Sequence, residues 1–225
     1  MHGSEAEVRI RDKVVALLRE CLPDARIIHE FDLWGVRMDL AAVTPEEIVL
    51  VEIKSERDKL DRLANQVRFA AGLGGEVWVC YHEKWIEPIR LRCQSHDMSV
   101  KIPIKGMRGA YNHPENPLYI PALSRCEHLT ETPDGPLKPD RFTRDPRDRR
   151  YRSPKYDNRR LLSLIHKPEV LALAKPHGGK SRMNSSDLIE LCHEHLTGAE
   201  IRRGVLAHIR AHPFFWADPP VPLNP

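Results

Sequence analysis

Paired cysteines, long apolar runs and a strong net charge are all missing from this chain, and each absence narrows what it can be. Its cysteines (Cys21, Cys80, Cys93, Cys126, Cys192) are odd in number, widely spaced and never in a CxxC arrangement. That argues against both a disulfide framework and a zinc knuckle. No stretch approaches the ~20 uninterrupted apolar residues of a bilayer-spanning helix, and Met1-His2-Gly3-Ser4-Glu5 runs into a charged helix rather than a signal peptide. The expectation is a cytoplasmic protein with no membrane partner. The formal net charge of +3 is too small to mark a nucleic-acid binder by itself.

What is present is the composition of a globular protein: 225 residues, 41% hydrophobic and 30% charged. That length suits one core of ordinary size and a smaller module, at roughly 100–150 residues per domain. Charge is unevenly spread. Lys138 to Arg160 holds ten Lys and Arg against four Asp, a surplus of six, with Arg149, Arg150, Tyr151 and Tyr156 among them. Such a stretch suits contact with nucleic-acid phosphates, or equally a solvated linker.

Apolar residues at Ile10, Val14, Leu17, Leu18 and Cys21 recur at helical spacing and predict a helix over residues 5–21. Residues 26–31, Val36 to Val43 and Ile48 to Ile53 suit three strands, and Thr44-Pro45-Glu46-Glu47 suits the turn between the last two. Ser55-Glu56-Arg57-Asp58 resembles an acidic capping box opening a helix with a buried stripe of Leu60, Leu63, Ala64, Val67 and Ala71. Val77 to Tyr81 is a further strand. The order αβββαβ predicts an α/β fold with a mixed central sheet over residues 1–125. Ile89 to Arg92, Val100 to Ile104 and Leu118 to Ile120 suit short strands finishing that domain. Residues 126–157, rich in Pro, Asp and Arg, suit a linker. Residues 158–212 suit a small all-α module of four short helices, the third capped by Ser185-Ser186-Asp187. Residues 213–225 form an extended tail.

The chemistry centres on Glu52-Ile53-Lys54. Residues two apart on a strand share a face, and the preceding Ile48-Val49-Leu50-Val51 marks a buried central strand. A symmetric four-residue turn places Val43 opposite Ile48, hence Asp39 opposite Glu52 and Arg37 opposite Lys54. Two carboxylates on adjoining strands repel unless a cation lies between them. Oxygen ligands suit Mg²⁺ or Mn²⁺, which polarise a phosphodiester, and the Lys54 ammonium could orient water or neutralise developing charge. The Ile53 carbonyl could add a ligand. All three side chains are expected at the rim of the packed interior.

These residues, Asp39 and then Glu52-Ile53-Lys54 after an apolar run, resemble the signature of the PD-(D/E)XK nuclease superfamily over residues 5–82. Met38 stands where the family name has proline. The resemblance implies a restriction-endonuclease-like αβββαβ core and Mg²⁺-dependent hydrolysis of nucleic acid. Asp39 and Glu52 would be metal ligands and Lys54 the catalytic lysine. It also implies an acid from the first helix region at the metal; Glu7 is the candidate, with Glu5 and Glu30 as alternatives. Gln66 matches a glutamine that some branches use, although Ala70 stands where they carry tyrosine. The wording around Lys54 is most similar to a bacterial and phage branch.

The connection from Lys175 to Arg182 between two short apolar helices resembles SAP-like helix-extended-helix modules, which implies phosphate contacts by Lys175, Lys180 and Arg182. Cys192-His193-Glu194-His195 points in several directions on a helix, so no metal is expected there. The resulting expectation is a Mg²⁺-dependent endonuclease hydrolysing DNA phosphodiester bonds, acting in DNA processing or in phage and defence biology. A catalytically inactive nucleic-acid-binding protein of the same fold and an RNA-directed nuclease are the alternatives. A homodimer is left open.

Overall fold

The computed structural model describes residues 4–93, 126–132, 135–139 and 155–223. Helix α1 (Glu5–Cys21) is capped by the Ser4 side chain, which accepts the Glu7 amide, and it buries Ile10, Val14, Leu17 and Leu18. Strands β1 (Arg26–Leu33), β2 (Val36–Val43) and β3 (Ile48–Lys54) follow, then α2 (Leu63–Gly72) and β4 (Glu76–His82). This is the αβββαβ order read from the sequence. β1, β2 and β3 pair antiparallel, whereas β4 joins β3 in parallel.

Two findings depart from the sequence reading within this half. Ser55-Glu56-Arg57-Asp58 opens no helix, because Asp58 Oδ2 accepts both the Ser55 amide (2.7 Å) and the Ser55 hydroxyl (2.6 Å), closing a local turn. α2 starts only at Leu63 and buries Leu63, Val67 and Ala70 rather than Ala71. Residues Ile89 to Arg92 lie in helix α3 (Ile86–Cys93), not in a strand; Ile89 is its one buried residue, so the apolar signal there was too thin to give a period.

The sheet extends into the segment expected to be a linker. β5 (Glu127–Glu131) pairs parallel with β4, and β6 (Lys138–Pro139) pairs antiparallel with β5, giving the order β1-β2-β3-β4-β5-β6. Each of these strands needs a neighbour for its pattern to make sense, so local sequence reads them as loop. The strands expected at Val100 to Ile104 and Leu118 to Ile120 lie outside the described residues, as do Arg149 and Arg150.

The sheet has two covered faces. α1 packs on Ile27, Leu40, Ala42, Val49, Val51 and Ile53. The opposite face, with Ile28, Ala41, Val43, Ile48 and Leu50, shares one core with α2 and with the four expected C-terminal helices, α4 (Asn158–Leu162), α5 (Lys167–Ala174), α6 (Ser185–His195) and α7 (Gly198–Ala211). The cap of α6 is Asn184, one residue before the predicted Ser185; its side chain accepts the Asp187 amide.

The tail is extended, as expected, and it is fixed to the free edge of β1. The His29 amide donates to the Trp216 carbonyl (2.9 Å) and the Asp218 amide to the Ile27 carbonyl (2.9 Å), while Ala217 bridges Ile28. Arg26, almost fully buried, ties the edge to the end of α7: its guanidinium donates to the carbonyls of Ile209 (3.1 Å), Arg210 (2.7 Å) and His212 (2.6 Å). Carbonyls at a helix C-terminus lack intrahelical donors, and Arg26 supplies them.

Candidate active site

The hairpin register expected from the Thr44–Glu47 turn is the one observed: Val43 faces Ile48, and the pairing runs to Leu40 opposite Val51. There β2 and β3 part, while β3 stays paired with β4 as far as Lys54 opposite Tyr81. Asp39, one row past the last β2–β3 pair, does not complete a ladder rung. Its Oδ2 accepts the Ile53 amide instead, at 2.6 Å.

The cause is a kink shared by β1 and β2. On β1, Ile28 and then Phe31 and Leu33 face the same core; on β2, Val43 and Ala41 do so and then Met38. The inward alternation therefore slips by one residue on both strands, at the row of Glu30 and Asp39, which is missing from an otherwise continuous ladder. Glu30 absorbs the slip with φ at 55°, a left-handed conformation that residues with a Cβ adopt at a cost of about 1 kcal/mol or more. The kink turns Asp39 out of its own ladder and toward β3.

Glu52 and Lys54 share the α2 side of β3. Contrary to the expectation of rim positions, both are buried: Glu52 is 1% exposed and Lys54 4%. Lys54 Nζ lies 2.5 Å from Glu52 Oε1 and 3.3 Å from Gln66 Oε1. Gln66 in turn donates its Nε2 to the Arg37 carbonyl at 3.3 Å, spanning the gap between the parted strands. The second oxygen of Glu52, Oε2, is buried without a hydrogen-bond partner among the described residues. Burial, and then the Asp39 charge, push the Glu52 carboxyl up to about 8 against the pull of Lys54 and, more weakly, of the Gln66 side chain. Burial likewise raises Asp39 to about 6, although the Ile53 amide and Arg11 oppose it.

Glu7 and Arg37 are placed differently from expectation. Glu7 is engaged by Arg11, whose Nη2 lies 2.7 Å from it and 3.3 Å from Glu30. Glu5 is exposed. Among the described residues no three His, Cys, Asp or Glu side chains gather in a metal-holding group, so Glu7 does not join Asp39 and Glu52. Arg37 lies beyond the end of the β2–β3 pairing rather than across from Lys54, with its largely exposed guanidinium 2.6 Å from Glu30.

Arg11 is the residue at this fork that the sequence reading passed over. It is 5% exposed; it donates Nη1 to the Asp39 carbonyl at 2.9 Å and keeps Nη2 3.7 Å from Asp39 Oδ1. A signal was available, since Arg11, Val14 and Leu18 fall at the spacing of one helix face, and a lone arginine on an apolar face needs anionic partners.

In the C-terminal helices, Lys175, Lys180 and Arg182 are exposed around the connection from α5 to α6. Cys192 points into the core, while His193, Glu194 and His195 face outward.

The donors at the fork are two carboxylates, the oxygen chemistry that a hard divalent cation takes, with no third acid, His or Cys gathered beside them among the described residues. Asp39 and Glu52 offer carboxylate oxygens in mutual repulsion, and one of those oxygens is buried without a hydrogen-bond partner among the described residues.

Residues 1–102 match the model of a family described as bacteriophage P4 protein cII. The matched span holds α1 to α3 and all of Glu7, Asp39, Glu52, Lys54 and Gln66, but it is less than half of the 225 residues. Neither a curated protein nor a solved structure matches the chain.

Proposed function

We propose that the chain is a Mg²⁺- or Mn²⁺-dependent nuclease that hydrolyses DNA phosphodiester bonds in the cytoplasm, acting as an endonuclease. The observation that carries this reading is Glu52: a buried acid at the point where two strands part, with one oxygen on Lys54, the other without a hydrogen-bond partner among the described residues, and Asp39 close enough to raise its proton affinity. A side chain so placed costs stability in the metal-free protein. Such a cost is retained where function needs it.

Asp39 and Glu52 would hold the cation, with the Ile53 carbonyl as a further oxygen nearby. When bound, the cation would supply positive charge to the phosphate and ease ionisation of the attacking water. The rest belongs to the chain. Gln66 fixes Lys54 Nζ beside Glu52, so the ammonium stands ready to orient a water or to hold a proton near the leaving oxygen. The Ile53 amide fixes Asp39, and the dry surroundings strengthen each charge interaction. Arg37, Lys175, Lys180 and Arg182 are exposed cations, suited to phosphate contacts that position without reading sequence.

One observation favours a second reading. The buried Lys54–Glu52 ion pair already neutralises half of the acid pair, as an inactive nucleic-acid-binding protein would tolerate. The test is incubation of the full chain with linear duplex, single-stranded and branched DNA, and with matched RNA, in Mg²⁺, Mn²⁺ or EDTA. Metal-dependent DNA cleavage is expected. Retention of DNA in a gel shift with no cleavage in either metal would select the binding protein, and preferential cutting of RNA would redirect the substrate.

A further inference from the structure

The tail contributes a contact to the proposed site. Trp216 is clasped between two residues of the N-terminal half: its ring stacks on His29 with centroids 4.2 Å apart and planes 6° from parallel, and the Arg11 guanidinium lies 5.1 Å from its centroid. The strap is pinned on both sides of Trp216. Phe214 packs on Phe31 and beneath Arg26, and Asp218 accepts the Ile27 amide at 2.7 Å and pairs with Arg19 at 2.6 Å.

Two distances describe the clasp. Arg11 donates to the Asp39 backbone carbonyl at 2.9 Å, whereas with the Asp39 carboxylate it forms only a loose ion pair at 3.7 Å, with no hydrogen bond. A guanidinium this close to a carboxylate would ordinarily close into a two-pronged ion pair. Here its plane is committed to an aromatic face, to Glu7 and to Glu30. The Asp39 carbonyl, freed from the ladder by the kink, is satisfied, while the Asp39 carboxylate is left to the Ile53 amide and to whatever cation the fork accepts.

We propose that Trp216 is a positioning residue that holds Arg11 on the Asp39 carbonyl and off its carboxylate, so that the strap keeps Asp39 available as a metal ligand. The inference rests on the nuclease reading for its metal. Its test has a readout apart from cleavage: Mn²⁺ binding to the metal-free full chain, followed by electron paramagnetic resonance of the free ion. Trp216→Leu fills the space without an aromatic face; Trp216→Phe keeps a face for Arg11.

Trp216→Leu is expected to weaken Mn²⁺ binding about tenfold and to lower kcat with KM for DNA unchanged, and Trp216→Phe to restore both to within about threefold. Arg11→Lys keeps the charge but loses the stacking plane, so it should weaken Mn²⁺ binding similarly. It also decides the question if Trp216→Leu does not fold. Wild-type Mn²⁺ affinity in Trp216→Leu, equal losses in the Leu and Phe variants, or unchanged affinity in Arg11→Lys overturns the proposal. A wild-type chain that binds Mn²⁺ yet cuts no nucleic acid, with binding still weakened by Trp216→Leu, removes the nuclease reading and leaves the positioning role standing. A wild-type chain that binds no Mn²⁺ ends both.

Discussion

Glu52 makes the metal-free protein sensitive to alkaline conditions in a way that one substitution removes. Its carboxyl is lifted from 4.5 to about 8, first by burial and then by Asp39. An acid whose folded value exceeds its unfolded one contributes stability below the unfolded value and loses it as pH rises through the folded one. The loss therefore runs from about pH 4.5 to about pH 8. The interval is worth on the order of 5 kcal/mol, with no discount for solvent because the side chain is almost wholly buried. Asp39, lifted from 3.8 to about 6, adds the same sign over a lower window. His29 runs the other way. Burial, then the Arg11 charge, lower its imidazole to about 4, so its contribution is present above 6.5 and is lost as pH falls toward 4.

Comparing the wild type with Glu52→Gln cancels most of both backgrounds, and glutamine keeps an acceptor for Lys54. In EDTA at pH 9 the variant should melt roughly 10 °C above the wild type, with the gap closing toward pH 5. Mg²⁺ at pH 9 should raise the wild-type Tm and leave that of the variant nearly unmoved. Thermal melts followed by circular dichroism read both effects; parallel Tm profiles across this range would refute the account of Glu52 as an acid whose burial outweighs the pull of Lys54.

Three further outcomes follow from the same geometry. Lys54→Met keeps the buried stem and removes the ammonium, so kcat for DNA cleavage should drop by about 100-fold or more with far-ultraviolet dichroism unchanged. Gln66→Ala frees Lys54 and should lower kcat by roughly tenfold; a wild-type rate would show that Gln66 is merely surface. Arg26→Met leaves the end of α7 without donors and should destabilise the fold by about 3 kcal/mol or more in urea, and a loss under 1 kcal/mol would show that water replaces the guanidinium.

The parts of this fold legible in the sequence are those whose signal is local. The stripe of α1, the unbroken apolar run of β3 and the four-residue turn fixed the elements and the hairpin register as far as Leu40 opposite Val51, but the direct Asp39–Glu52 rung expected from that register does not form. β5 was not legible, because His128 and Leu129 are buried by strands and helices far away in the chain. Ser55 to Asp58 carried the composition of a helix cap but spent it on a closed turn. Nor could an ideal strand pattern reveal the slip at Glu30, which turns Asp39 aside and admits Arg11. The rim positions expected for Glu52 and Lys54 failed for a related reason: α2 and Gln66 roof the α2 side of β3.

The strap that closes the free edge of β1 joins residues 191 apart in sequence. On the ribosome, β1 emerges long before its last neighbour, so a nascent chain exposes unpaired backbone that could recruit another strand. Cover for that edge awaits a segment translated 191 residues later. A product shortened before Phe214 would lack both the edge cover and the aromatic clasp on Arg11, and would be prone to aggregate as well as impaired at the fork.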